Sequence, residues 1–98
     1  MSGYPIVWSP RTKDEFAEIL GFIEVQFGSE IAADCVLLVE TMIDKIAVFP
    51  GMFAASGGHN IRRAVVQKNL SIFYRFQRDQ VDILKVWDNR CNPEDLRL

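Results

Sequence analysis

The chain has 98 residues, 49% apolar and 24% charged. These are the proportions of one globular domain, so a collagen, a coiled-coil rod and a disordered tail are excluded. Residues 1–98 are read as a single domain. No apolar run approaches the roughly 18 residues of a membrane span; Cys35 to Val39 is among the longest. The first residues lack the basic-then-apolar pattern of a signal peptide, so a cytoplasmic protein with no membrane partner is expected. With one histidine, His59, and two separated cysteines, Cys35 and Cys91, neither a metal site nor a disulfide framework is expected. No cofactor is expected.

The formal net charge of −2 hides an asymmetry. Residues 12–50 carry two basic and eight acidic residues, whereas residues 51–98 carry eight basic and five acidic ones. Between 61 and 78 there are five bases, Arg62, Arg63, Lys68, Arg75 and Arg78, and no acid. Such a division implies two surfaces with different partners.

Tyr4 to Trp8 reads as a short strand, with Pro5 placing it at a strand start or edge. Ser9-Pro10 opens a helix, the serine as cap and the proline at the first position, where a missing N–H costs nothing. Phe16, Ile19, Leu20, Ile23 and Phe27 form one apolar stripe, ended by Gly28 in a left-handed cap. Ser29 is the expected cap of a second helix whose buried face is Ala32, Cys35, Val36, Val39, Met42, Ile43 and Ile46. The short junction predicts an antiparallel helix hairpin, stopped at Phe49-Pro50-Gly51.

A Gly-rich loop over 51–60 follows, then three strands: Ile61–Gln67, Leu70–Gln77 and Val81–Trp87. Their gaps are hairpin-sized, and Asn69 is expected to take a positive φ. In the middle strand Leu70, Ile72, Tyr74 and Phe76 should pack on the helices. Ser71, Phe73 and Arg75 should face solvent or a partner. In the first strand either alternate set, Ile61/Arg63/Val65 or Arg62/Ala64/Val66, can be core. Val81 to Leu84 breaks alternation, as at a bulge. The order β-α-α-β-β-β predicts an α+β fold, a helix hairpin on one face of a mainly antiparallel four-stranded sheet.

In this order, Val7-Trp8-Ser9-Pro10, Phe22-Ile23, Phe27-Gly28, Phe49-Pro50-Gly51, Ile61-Arg62-Arg63, Leu70 to Arg75, Asp82 to Trp87 and Arg90 resemble the RelE/ParE toxin family of bacterial toxin–antitoxin modules. The resemblance spans nearly the whole chain. It implies the toxin of a type II, plasmid-stabilisation-like module that arrests growth and is neutralised by a cognate antitoxin. RelE-like members cleave mRNA on the ribosome, and ParE-like members poison DNA gyrase; one fold serves both.

Cleavage by 2′-hydroxyl attack needs a proton acceptor, cations for the phosphate and a donor for the leaving oxygen. RelE-like members commonly place an Arg before the Ile-x-Tyr segment, where this chain has Ser71. Their Lys/Arg-rich, Tyr-terminated last strand is replaced by Trp87-Asp88-Asn89-Arg90. Arg62-Arg63, Ile72 to Arg75 and Ile83-Leu84-x-Val86-x-x-x-Arg90-x-x-Pro93 are more similar to ParE-like members, although these often carry His where Asp88 stands. An isoelectric point near 5.3 also suits poorly a protein that must grip ribosomal RNA.

The ParE-like reading is therefore favoured, with Arg62, Arg63, Phe73, Arg75 and Arg90 contacting antitoxin or target. The alternatives are a ribosome-dependent mRNA endonuclease, with Arg63, Lys68, Arg75, Arg90 and His59 as its catalytic candidates, and an inactive member that only binds antitoxin. Tyr74 is assigned to the core. Glu18, Asp34, Glu40 and Asp44 are read as solvated helix faces, although the resemblance implicates the hairpin in target contact.

Overall fold

The computed structural model describes residues 3–58 and 60–88. Strand β1 (Ile6–Trp8) leads through Ser9 into helix α1 (Pro10–Phe27), and Gly28 joins this to helix α2 (Ser29–Val48). Strands β2 (Ala54–Ala55), β3 (Ile61–Gln67), β4 (Leu70–Gln77) and β5 (Gln80–Asp88) follow. They form one sheet of five strands in the order β1-β5-β4-β3-β2. Among the described residues only the β1–β5 pair is parallel. The sheet is one strand larger than the four expected, because two alanines in the Gly-rich loop pair with Arg62 and Arg63. Two residues are too short a run to show alternation.

Local chemistry accounts for the helix ends. The Ser9 hydroxyl accepts the Thr12 N–H at 3.1 Å, with Pro10 next to it at the first helical position, as expected. At the hairpin Gly28 serves both helices: its N–H donates to Glu24 and its carbonyl accepts from Ala32. Gly28, not Ser29, is the cap residue of α2, and no side chain caps that end. Its φ of +97° and ψ of 164° lie in a region that side chains with a Cβ avoid.

The helices cover one face of the sheet. Val39, Ile46, Ala64, Ile72, Tyr74 and Val81 form the centre of the core, each at most 1% exposed. Cys35, Leu70, Ile83 and Val86 complete it. The α1 stripe holds for Phe16, Ile19, Leu20 and Ile23 but fails at its end, where Phe27 is 56% exposed.

Two sheet irregularities set which side chains face where. Phe73 lies opposite Lys85 while Tyr74 lies opposite Ile83, so Leu84 is the extra residue of a β-bulge. A second register shift falls between Val65 and Gln67. In the β4–β5 turn Arg78 and Asp79 both take φ of 56°, the mirror-image turn that matches strand twist. Asn69 is not among the positive-φ residues; the bulge at Val66 accommodates the β3–β4 turn instead.

Candidate functional site: the outer face of the sheet

The candidate site lies on the sheet face away from the helices. Register decides its members, since directly opposed residues point to the same side. Arg63 lies opposite Phe73, and Ile61 opposite Arg75. Phe73 lies opposite Lys85, Ser71 opposite Trp87, and Arg75 opposite Asp82. Three adjacent strands thus bring Arg63, Phe73, Arg75, Lys85 and Trp87 to one surface, with Ser71 among them.

The side chains are held in place. Arg63 donates from Nε to the Ser71 hydroxyl at 3.0 Å, and its guanidinium stands 5.6 Å from the Phe73 ring centroid, within cation–π range. Lys85 Nζ is 5.9 Å from the Trp87 ring centroid and 2.9 Å from a Glu15 carboxylate oxygen on α1. This ion pair also ties α1 to the β5 margin, where Thr12 Oγ1 donates to the Leu84 carbonyl. The surface is less open than alternation predicts. Phe73 is 3% exposed and Ser71 fully buried, so what the face presents is its half-buried cations, Arg63 and Arg75, around an aromatic floor.

Not every sequence candidate belongs here. Arg62 lies opposite Tyr74 and therefore points to the helix side, where it donates to the Phe53 carbonyl at 2.6 Å. It and Arg63 leave the sheet in opposite directions. Lys68 is exposed in the β3–β4 turn, outside the cluster. His59 and Arg90 lie outside the described residues. Lys85 is a member that the sequence candidates omit. Its signal is the broken alternation at Leu84, which shifts the register of the residues that follow. Among the described residues no group of three or more His, Cys, Asp or Glu is gathered to hold a metal ion. No helix of the described residues is long and apolar enough to cross a membrane.

Beneath the sheet Tyr74 is enclosed, as assigned. Its hydroxyl donates to the Pro50 carbonyl, and Phe53 meets its ring edge-on at 6.3 Å between centroids. Burial pushes its pKa up to about 12, with the nearby Arg62 charge pulling weakly the other way. Together Tyr74 and Arg62 fasten the loop after α2 to the sheet. Burial likewise raises the Cys35 thiol, in the core and away from the outer face.

Chemically, the outer face offers positive charge, hydrogen-bond donors and a π surface. Guanidinium and ammonium groups have donors and no acceptor, so they hold an anion and do not take up a proton. The Ser71 hydroxyl is engaged by Arg63. The carboxylates at the margin are engaged too, Glu15 by Lys85 and Asp82 by the Gln80 amide.

Solved structures share this fold. Over 87% of its length the chain is similar to a protein from P. aeruginosa described as a chromosomal ParDE toxin–antitoxin system, with 95% of that chain covered, a TM-score of 0.75 and 16% identity. It is also similar to a copper-bound mutant toxin from Helicobacter pylori, over 87% of this chain and 93% of that one, with a TM-score of 0.52 and 15% identity. At such identities these likenesses report the fold. No curated protein matches the chain. The model of the ParE toxin of the type II toxin–antitoxin system parDE matches residues 6–93, which takes in both helices and the whole sheet. The chain belongs to the ParE toxin family.

Proposed function

We propose that this toxin is neutralised in the cytoplasm by a cognate antitoxin and arrests growth by binding DNA gyrase, with no bond-breaking step of its own. The observation that carries this reading is the composition of the outer face. Arg63, Arg75 and Lys85 stand around Phe73 with no proton acceptor among them, and the one hydroxyl of the group, Ser71, is engaged by Arg63. Such a surface grips a charged partner, and among the described residues it gathers no free acid–base pair of the kind RNA cleavage requires. Arg63, Phe73 and Arg75 carry the contact, and Arg90, outside the described residues, remains a candidate for it on sequence alone. Arg62 serves it indirectly by holding the loop at Phe53.

The test is induced expression with and without the neighbouring open reading frame, mapping mRNA 5′ ends while scoring DNA breaks. Growth arrest with gyrase-dependent breaks and intact mRNA is expected, abolished by the antitoxin. New mRNA cuts at the ribosomal A site would overturn the reading, with Arg63, Lys68, Arg75, Arg90 and His59 then the residues to test. Antitoxin binding with neither lesion would mean an inactive member.

A further inference from the structure

Away from the outer face of the sheet, a cleft of ≈ 430 Å³ is lined by residues of β1 and both helices. That volume lies in the range of small-molecule sites. Trp8 of β1 and Phe16 of α1 line it as a stacked pair, 5.9 Å between ring centroids and 24° between planes. Val39 of α2, 1% exposed, is its most deeply buried member.

Charge divides the two helix walls. Lys13 comes from α1, and Glu40 and Asp44 come from α2. All three are exposed, and among the described residues none of them forms an ion pair. Lys13 therefore shares the cleft with two carboxylates and bridges to neither. Neither helix gains from these charges. A base as the fourth residue of α1 and an acid near the end of α2 both oppose the helix dipoles. Glu40 and Asp44 also repel each other across one turn. Local rules thus disfavour all three placements, and such conflicts concentrate at functional sites.

The same groups indicate the occupant. An aromatic pair beside carboxylates suits a cation on an apolar stem, and Lys13 suits an anion on the same molecule. One base and two acids in the lining are matched by one carboxylate and two cationic groups. Glu40 and Asp44 stand one turn apart, about 6 Å at 1.5 Å per residue, within reach of the three-methylene stem of an arginine. A polyamine would instead set a like charge against Lys13.

We propose that this cleft binds a free basic amino acid, of which arginine is the type. Its carboxylate meets Lys13, its α-ammonium and guanidinium meet Glu40 and Asp44, and its methylenes lie on Trp8 and Phe16. The site is separate from the outer face of the sheet and does not depend on which target that face binds.

The test titrates the full chain with L-arginine and three analogues, each missing one feature. Citrulline has a neutral side chain, agmatine has no carboxylate, and Nα-acetylargininamide presents the side chain as a protein would. Amide chemical shifts should move at Trp8, Phe16 and Val39, with arginine binding about three- to fivefold more tightly than each analogue. Lys13→Gln should abolish the difference between arginine and agmatine, and Asp44→Asn should shrink that between arginine and citrulline. Both positions are exposed, and an unchanged melting curve checks that each variant folds. Equal binding of arginine and agmatine by the parent, no shifts at the cleft, or shifts centred on Phe73 would overturn the proposal. So would Nα-acetylargininamide binding as tightly as arginine, since the occupant would then be an arginine of another protein.

Discussion

Arg62 and Arg63 are neighbours in sequence with opposite placements, one fastening a loop beneath the sheet and the other standing over Phe73 above it. Their alanine variants should therefore fail differently. Arg62→Ala leaves the Phe53 carbonyl unpaired and should cost about 1–3 kcal/mol in urea unfolding. Arg75→Ala should lower toxicity by at least about tenfold with the melting temperature little changed; full toxicity in an induced-growth assay would remove Arg75 from the contact surface. Tyr74 offers a pH signature. Its folded pKa, about 12, lies above the ordinary tyrosine value near 10. The stability from its neutral hydroxyl is therefore complete below about pH 10 and lost as pH rises through 12. Tyr74→Phe should be less stable than the parent at neutral pH. The gap, followed by urea unfolding, should narrow above about pH 10.

At the scale of elements, the hairpin junction is the sharpest test. An added Cβ at Gly28 would meet nothing within 4 Å, so the cost of Gly28→Ala is the backbone conformation alone, about 1–3 kcal/mol. Thermal melting should show that loss. The elements are also where the sequence is most readable. The bounds of β3 and β4 follow from turn residues and, in β4, from strict alternation, and both helices follow from their stripes and stops. The bulge is legible because Val81 to Leu84 breaks the period.

Less can be read where the pattern is degenerate. In β3 each alternate set mixes an arginine with aliphatic residues, so its facing waits on the pairing of Arg62 with Tyr74. The burial of Phe73 is hidden for another reason. The Arg63 guanidinium stands over the ring from the neighbouring strand, and a strand pattern does not encode contacts between strands. Lys85 escapes because the extra residue at Leu84 shifts every register position beyond it.

For the whole molecule, charge is divided by face. Acids crowd the hairpin, and Arg63, Arg75 and Lys85 meet across the outer surface. If the outer face carries target binding, affinity should fall as salt rises from about 0.05 to 0.5 M, because exposed charges are screened over progressively shorter distances. Titration calorimetry at several salt concentrations would show this; a salt-independent affinity would mean that burial of apolar surface dominates. The antitoxin, binding only the folded toxin, should raise its melting temperature in proportion to the logarithm of free antitoxin concentration.

The parallel pairing of β1 with β5 has a consequence for synthesis. Ile6 waits for Val81, and Trp8 for Ile83, so the first strand made has no partner until most of the chain is made. At about 5–20 residues per second, the helix hairpin is out for roughly 2–8 s before the sheet can close beneath it. During that interval the nascent chain shows its apolar stripes but has no assembled cationic face. If the outer face carries target binding, that binding has to wait some seconds for the last strand, long enough for an antitoxin translated nearby to be present when it arrives.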